Sequence, residues 1–188
     1  MIFVLSGPSG SGKTTLRDIL LKEKALKGKF IKSVSLATRP RRSGERHGKD
    51  YFFTTNANFL KLRQAKKILE WTRYLGYYYG TKKEPVDHAL ASGRHMLLCL
   101  DHRGALRIKK IYGRKAATVF ILPPSIKELR RRIEARCAAT KKEEVAKRLS
   151  LAKDEVRNSR KYDYVLRNTN LKAAVKRLKA IILNNTRS

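Results

Sequence analysis

The chain has 188 residues, with 45 lysines and arginines against 15 aspartates and glutamates, so its formal net charge is +30. This length supports one domain with a sizeable core and excludes two large independent domains. Hydrophobic residues at 41% and charged residues at 32% exclude a disordered chain, and the surplus of positive charge implies an anionic partner such as a nucleotide or a nucleic acid.

The chain begins with a short apolar run, IFVLS at 2–6, which has no basic leader before it. The run is too short for a signal peptide or a membrane span, so we expect a cytoplasmic protein that does not bind membranes. The two cysteines, Cys99 and Cys137, lack the spacing of metal ligands, and we expect both to be reduced thiols.

The apolar run predicts a buried strand over 2–6, and helical periodicity follows over 15–26. The segment between them satisfies GxxxxGK[ST], the pattern of a phosphate-binding loop (P-loop), in the strand–loop–helix context that this loop requires. Backbone N–H groups of such a loop surround phosphate oxygens, Lys13 bridges the outer phosphates, and the Thr14 hydroxyl can ligate Mg²⁺. The residues expected to hold the phosphates of ATP are Gly7, Pro8, Ser9, Gly10, Ser11, Gly12, Lys13, Thr14 and Thr15.

The next part of the chain, from 33 to about 79, is polar and rich in turns, which predicts a small mixed α/β insertion. Short aromatic strands are predicted at 50–54, 67–71 and 76–80. Strands and helices then alternate again, with a strand over 94–101, a helix over 104–112 and a strand over 117–123. Crossover connections of this kind favour parallel strands in a three-layer α/β core.

Three helix starts carry the Ser/Thr-x-x-Glu capping pattern, at Thr81, Ser125 and Thr140. The last two are expected to open the basic helices 126–136 and 141–158, which the short segment CAAT joins into a helical hairpin. A strand over 162–166 and an amphipathic helix over 170–183 complete the predicted elements.

Several blocks of sequence point to one family. In chain order they are GPSGSGKTT, SVSLATRPRRSGERHGKDYFF, ILEWTRYLGYYYGT, LDHRGA, ILPPS, KRL and YDYVLRN. In these blocks, from residue 3 to the final helix, the sequence resembles the guanylate kinase family. The resemblance implies a P-loop nucleoside-monophosphate kinase fold that closes over ATP and GMP, with a core (1–32, 94–125 and 160–188), a GMP-binding region (33–93) and a lid (126–159).

The resemblance also implies the residues that bind GMP. Its phosphate would be held by Arg39, Arg42, Tyr51 and Tyr79, because guanidinium and phenol groups are suitable donors for a dianion. Glu70 would recognise the base, since one carboxylate can accept from guanine N1–H and the N2 amino group together, whereas adenine presents an acceptor at N1. Further contacts to the base are expected from Ser35, Thr81 and Asp101.

Catalysis of phosphoryl transfer requires positive charge and in-line positioning more than a covalent nucleophile. By resemblance, the catalytic groups are Lys13 and the lid arginines Arg132, Arg136 and Arg148, and Asn168 lies beside the adenine of ATP. The chain departs from the family at Cys99, where an aspartate is common, and a thiol is a poor ligand for Mg²⁺. We therefore expect an active kinase with a reduced rate.

The expected reaction is direct transfer of phosphate from ATP to GMP, and also to dGMP, with Mg²⁺ as cofactor. One alternative is a non-catalytic interaction domain that resembles guanylate kinase, although the intact P-loop argues against it. A kinase for another phosphorylated small molecule is opposed by Glu70 and Ser35. A basic, nucleic-acid-associated P-loop protein is the remaining alternative, and nonspecific binding of nucleic acid is retained as a secondary property.

Overall fold

Two β-sheets and seven helices account for most of the residues that the structure, a computed structural model, describes, namely 1–136 and 142–186. The strands are β1 (Ile2–Ser6), β2 (Phe30–Lys32), β3 (Leu36–Ala37), β4 (Phe52–Phe53), β5 (Ile68–Tyr74), β6 (Tyr77–Lys82), β7 (His95–Cys99), β8 (Ala116–Leu122) and β9 (Tyr164–Arg167). The helices are α1 (Lys13–Leu20), α2 (Asn56–Gln64), α3 (Lys83–Ala91), α4 (His102–Tyr112), α5 (Ile126–Arg136), α6 (Lys142–Arg157) and α7 (Leu171–Thr186).

The larger sheet is parallel, with strand order β2-β7-β1-β8-β9. Side chains of β1 alternate between two hydrophobic clusters because successive residues of a strand point to opposite faces. Phe3 and Leu5 belong to the cluster that includes residues of α1 and α7. Ile2 and Val4 belong to the cluster that includes residues of α3 and α4. Helices therefore cover both faces, and the predicted three-layer α/β core is confirmed.

The smaller sheet has strand order β4-β3-β6-β5 and mixes one parallel pair, β3 with β4, with antiparallel pairs. Helix α2 lies beside this sheet, and its one buried side chain, Phe59, stacks on Tyr78 of β6 at a ring distance of 5.2 Å. The chain from β3 to β6 is thus the mixed α/β insertion that the sequence predicts. Helix α2 itself was not predicted, because a helix with a single buried apolar residue leaves little periodicity to detect.

Other boundaries differ from the sequence-based expectations in physically interpretable ways. The first helix ends at Leu20 and is followed by a separate short turn of helix at Lys24–Leu26, where one continuous helix to 26 was expected. The capping prediction at Thr81 was wrong, because the helix starts at Lys83 and the Thr81 hydroxyl donates to Glu70 instead. Buried tertiary contacts of this kind override local capping preference.

The cap at Ser125 is confirmed, since its Oγ accepts from the backbone N–H of Glu128 at 3.1 Å. The predicted cap at Thr140 and the thiol of Cys137 lie outside the described residues. Within the described ranges 1–136 and 142–186, no helix has the length and apolar character needed to cross a bilayer.

Candidate active site

The P-loop joins the end of β1 to the start of α1, as the sequence predicts. Its backbone turns sharply, with φ of +135° at Gly7 and +96° at Gly12. A side chain at Gly7 would overlap the carbonyl oxygen of Ile121, and one at Gly12 would overlap the Asn168 amide. The glycines are therefore required both for the conformation of the loop and for its close packing against the core.

Three cationic side chains from three helices converge on this loop. The Lys13 ammonium donates to the carbonyl oxygens of Gly7 and Pro8, the latter at 2.9 Å. The Arg132 guanidinium on α5 donates to the Gly10 carbonyl at 3.2 Å, and that of Arg148 on α6 lies 3.5 Å from the Ser9 hydroxyl. The arrangement concentrates positive charge where a polyphosphate would lie.

Acidic partners one helical turn away hold the two lid arginines in these positions. Glu128 contacts Arg132 at 2.7 Å, and Glu144 contacts Arg148 at 2.6 Å. Hydrogen bonds from Arg131 and then Arg132 lower the pKa of Glu128 to about 2, so this carboxylate stays charged at any physiological pH. Both arginines are therefore oriented by their own helices before any phosphate binds.

The guanidinium of Arg39 lies at the opposite end of the cleft in a tight bidentate pair with Glu45. Both N–H···O distances are 2.6 Å, and Arg39 is only 7% exposed. The same carboxylate accepts from the backbone N–H of Arg42 at 2.9 Å. The Tyr51 ring centre is 5.0 Å from the Arg39 guanidinium carbon and 6.0 Å from the Tyr79 ring centre. The four residues expected to hold a GMP phosphate therefore form one cluster.

Glu70 on β5 is the buried carboxylate of the cleft, with 4% exposure. Burial raises its pKa to about 7, and the nearby Asp101 carboxylate acts in the same direction. The Thr81 hydroxyl donates to Glu70 Oε1 at 2.5 Å and opposes this rise. Thr81 is itself fully buried, so the structure places it behind Glu70, where it orients the carboxylate.

Asp101 and Gly104, at the start of α4, complete the surroundings of Glu70. Asp101 Oδ1 accepts from the Gly104 N–H at 2.8 Å, which caps the helix and fixes the carboxylate. A Cβ atom at Gly104 would lie 2.6 Å from Glu70 Oε2. The role of Gly104 was not predicted, because nothing in a helix sequence shows which neighbour a missing side chain leaves room for.

The expected site residues border two cavities that meet at the P-loop. One, of about 490 Å³, extends from the loop to Glu70 and the Arg39 cluster. The other, of about 520 Å³, lies on the far side of the loop, beside Arg132 and Asn168. Expected site residues lining the first cavity are Gly7, Ser9, Gly10, Gly12, Lys13, Thr14, Ser35, Arg39, Arg42, Tyr51, Glu70, Tyr79, Asp101 and Arg148. Those lining the second are Gly10, Gly12, Thr14, Thr15, Arg132 and Asn168.

The remaining expected site residues have other positions. Ser11 is fully buried in the loop, and its carbonyl accepts from the Asn168 amide at 2.9 Å. Asn168 thus fixes the P-loop as well as bordering the second cavity. Pro8 contributes the carbonyl that Lys13 contacts. Arg136 is the last residue of α5, and its side chain lies outside the described part of the chain.

Cys99 lines the cleft beside Arg17, a residue that the sequence analysis did not single out. Burial raises the pKa of the Cys99 thiol, although the Arg17 guanidinium opposes the rise, so the thiol is neutral at physiological pH. Arg17, which is 8% exposed, pairs with Asp18 at 2.8 Å. Cys99 therefore contributes no charge at this point of the cleft.

A P-loop that lies between two cavities is suited to phosphoryl transfer. A donor nucleotide in one cavity and an acceptor in the other would meet at the transferred phosphate. Together with the parallel core and the helical pair α5–α6, this arrangement defines a P-loop phosphotransferase of the nucleoside-monophosphate kinase class. Comparison with known proteins narrows the class to one family. The family model described as guanylate kinase matches residues 1–185, and the chain belongs to the guanylate kinase family.

Individual relatives agree with this assignment. The chain is 40% identical over 185 residues to a guanylate kinase of Bartonella henselae, covering 98% of this chain and 81% of the relative. It is 38% identical over 183 residues to one of Bacillus subtilis, covering 97% and 88%. A crystal structure of guanylate kinase from Anaplasma phagocytophilum superimposes with a TM-score of 0.81 at 31% identity, covering 98% of this chain and 85% of that one. The chain is therefore an enzyme, a kinase of this family.

Proposed function

We propose which residues of this kinase bind ATP, which bind GMP and which assist the transfer. The kinase phosphorylates GMP to GDP with ATP as the donor. The observation that carries the proposal is the single cleft in which the P-loop, Arg148, Glu70 and the Arg39 cluster face one another. The alternative of a non-catalytic interaction domain is not favoured, since the P-loop is intact and the relatives are named as kinases.

On the donor side, we propose that residues 7–15 bind the phosphates of ATP and that its adenosine occupies the second cavity beside Asn168. The backbone N–H groups of the loop and the N-terminus of α1 supply donors and positive potential. Lys13 bridges the outer phosphates. Arg132 and Arg148 exchange part of their contacts with the loop for the γ-phosphate, where they neutralise the charge that develops during transfer. Arg136 is proposed to join them.

On the acceptor side, we propose that Arg39, Arg42, Tyr51 and Tyr79 hold the GMP phosphate. Glu70 accepts from the guanine edge with Thr81 behind it. Ser35 and Asp101 complete the base site, since both line the same cleft. We propose dGMP as a second acceptor, because it shares with GMP the base and the phosphate that these residues would bind. The phosphate oxygen of GMP attacks the γ-phosphorus in line, and ADP leaves.

The residues beside the loop fit a magnesium ion as the cofactor. The hydroxyl of Thr14 and the carboxylates of Asp101 and Glu155 all line the cleft, and hard oxygen donors are those that Mg²⁺ prefers. Thr14 is proposed as the ligand. A magnesium ion held there with the triphosphate would neutralise phosphate charge. The thiol of Cys99 adds nothing to this donor set, which supports the expectation of a reduced rate.

We further propose that the chain works as three regions, a core (1–32, 94–125 and 160–188), a GMP-binding region (33–93) and a lid (126–159). The smaller sheet falls within the second region and the helices α5 and α6 within the third. Closure of the lid would exclude water from the γ-phosphate. The cytoplasm, where ATP and GMP are available, is the proposed place of action.

The test of the proposed function is ADP release with GMP, dGMP, AMP and UMP as acceptors, in the presence of ATP and Mg²⁺. We expect rates with GMP and dGMP to exceed those with AMP and UMP by at least a hundredfold, because only guanine offers two adjacent donors to Glu70. Equal rates with all four acceptors would contradict the proposal. Binding of ATP without turnover of any acceptor would instead support the interaction domain.

The Glu45→Gln variant tests the Arg39 cluster. The amide keeps the shape of the side chain but cannot accept both N–H groups of the guanidinium, so Arg39 loses its fixed orientation. We expect KM for GMP to rise about tenfold, the equivalent of ~1.4 kcal/mol of lost preorganisation, with KM for ATP unchanged. The matched control is Glu23→Gln, which removes the 2.6 Å pair with Lys179 away from the cleft. Equal effects of the two variants on KM for GMP would refute the positioning role.

The Gly104→Ala variant tests the space beside Glu70. The new methyl group would lie 2.6 Å from Oε2 and 3.1 Å from the carboxyl carbon of Glu70, so the carboxylate must turn away from the base. Alanine favours helix over glycine by roughly 1 kcal/mol, which offsets part of the cost of displacing the buried carboxylate, so thermal stability should change little. We expect kcat/KM for GMP to fall at least tenfold while KM for ATP is unchanged. A variant with normal GMP kinetics would show that Glu70 has room to move.

A further inference from the structure

The segment that forms most of the smaller sheet and α2 carries a marked excess of positive charge. The chain from Phe52 to Lys82 contains one acidic residue, Glu70, and that carboxylate is buried on the cleft side. The basic residues of the same segment are Lys61, Arg63, Lys66, Lys67, Arg73 and Lys82. None of them lines the cleft of the proposed reaction, so the kinase activity does not explain this charge.

An exposed tryptophan and a half-buried tyrosine lie among these basic side chains. Trp71 is 43% exposed, an unusual fraction for the largest apolar side chain. The Arg63 guanidinium carbon is 4.7 Å from the centre of its ring, and Tyr78 contacts the ring edge-on at 5.9 Å. The guanidinium of Arg73 in turn lies 5.7 Å from the Tyr78 ring. Planar groups and cations therefore alternate across this face.

Strand alternation separates this face from the active site. On β5, Glu70, Thr72 and Tyr74 line the cleft. Trp71 and Arg73 lie between them in sequence and therefore point to the opposite side of the sheet. We call the outer face formed by Trp71, Arg73 and Tyr78, together with α2, the outer-sheet surface. A ligand on this surface need not displace GMP.

We propose that the outer-sheet surface binds single-stranded nucleic acid. Lysine and arginine side chains would follow the phosphates, and unstacked bases would lie on Trp71 and on the guanidinium plane of Arg63. A single strand fits better than a duplex because its bases are available for stacking. It also fits better than an acidic protein surface, because every nucleotide presents a phosphate together with a flat base, whereas acidic side chains carry charge without a ring. The net charge of +30 favours any such polyanion at long range.

The only tryptophan of the chain provides a direct reporter for this surface. Addition of a 20-nucleotide oligothymidylate should quench the fluorescence of Trp71 saturably, because stacked bases contact its ring. Heparin, which has charge without bases, should leave the fluorescence nearly unchanged. A duplex of the same length should bind at least tenfold more weakly than the single strand. Equal quenching by heparin, or equal affinity for the duplex, would overturn the proposal in favour of general attraction of polyanions.

Two triple variants with the same net charge separate the surface from the overall charge. The first is Lys61→Gln, Arg63→Gln and Arg73→Gln. The matched control, Arg107→Gln, Lys110→Gln and Arg114→Gln, removes three exposed charges from and just after α4. For the first, we expect the magnitude of the slope of log K against log salt concentration to fall by about 1.4, because Lys61 and Arg73 each lose a phosphate contact worth ~0.7 on a single strand. Affinity near physiological salt should fall at least tenfold, because the stacking guanidinium of Arg63 is lost as well. Losses of the same size in the control would overturn the proposal.

A Trp71→Leu variant tests stacking, since leucine is also apolar but has no flat ring. We expect affinity for labelled oligothymidylate, followed by fluorescence anisotropy, to fall about tenfold, in the range that base–aromatic stacking supports. Kinase activity with GMP should be unchanged, which also shows that the variant is folded. Unchanged oligonucleotide affinity would refute the stacking role. Because kinetics and oligonucleotide binding are measured separately, failure of this proposal is distinguishable from failure of the proposed reaction.

Discussion

Replacement of Lys13 by methionine is expected to lower kcat by about a thousandfold, the upper end of the loss that follows removal of one preorganised donor to a transition-state charge. The ammonium group contacts the Gly7 and Pro8 carbonyls at the mouth of the P-loop. From there it can reach the outer phosphates of ATP, and negative charge moves toward the bridging oxygen as the γ-phosphoryl group leaves. Methionine has a similar length and flexibility but no charge, so the phosphates lose this neutralisation.

Steady-state kinetics and thermal unfolding together test this prediction. The Lys13→Met variant should unfold within a few degrees of the parent, because the ammonium contacts with the Gly7 and Pro8 carbonyls are worth only about 1 kcal/mol each. Lys22→Met, an exchange outside both cavities, is the matched control and should have normal kcat. A Lys13→Met enzyme that retained more than a tenth of the parent kcat would exclude this lysine from the transfer step.

Local sequence was sufficient to predict the P-loop, and family resemblance selected Arg132 from its row of arginines, but neither shows why this arginine faces the loop. Residues 130–132 are consecutive arginines on one helix, and each is rotated by about 100° from the next. Arg130 and Arg131 are 65% and 72% exposed and pair with acidic residues of their own helix. Arg132 faces the P-loop. Only the orientation of α5 against the core decides which arginine this is.

Residues that act through another residue were the least predictable. Thr81 satisfies a helix-capping pattern, yet its hydroxyl serves the Glu70 carboxylate across two strands. Glu45 lies in a polar turn whose sequence is typical of a solvent-exposed segment. Its carboxylate nevertheless accepts from the Arg39 guanidinium and from the backbone N–H of Arg42. Gly104 has no side chain and so leaves room for the Glu70 carboxylate. Each of these roles depends on a contact between segments, which composition and periodicity do not encode.

The Glu70→Gln variant is expected to lose at least a hundredfold in kcat/KM for GMP while keeping its fold. A carboxylate can accept from N1–H and the N2 amino group of guanine together. The glutamine amide presents one acceptor and one donor, so its N–H group would face a guanine N–H group in a buried site. Because the site then no longer matches guanine, the preference for GMP over AMP should fall by a similar factor. Measurement of both acceptors with saturating ATP checks this result.

The pH dependence of GMP binding gives an independent test of the same carboxylate. With its pKa raised to about 7 in the folded protein, Glu70 is protonated at pH 6 and ionised at pH 8. Protonation removes an acceptor, so KM for GMP should fall as the pH rises from 6 to 8. The GMP phosphate also titrates near pH 6, but that contribution is common to parent and Glu70→Gln. The part of the pH dependence of KM that is absent in the variant therefore belongs to Glu70. The same dependence of KM on pH in the two enzymes would contradict the role of this carboxylate.

As the pH rises from 6 to 8, the stability of the fold should decrease while GMP binding improves. A carboxyl whose pKa is raised from 4.5 to about 7 by folding contributes its full stability below pH 4.5, and this contribution is lost as the pH rises through 7. At pH 8 the buried charge is therefore unfavourable to the fold, and its replacement by a neutral amide that can still accept from Thr81 should leave Tm equal or higher. A Tm at pH 8 well below that of the parent would mean that Glu70 supports the structure, and the loss of GMP turnover would then have a structural cause.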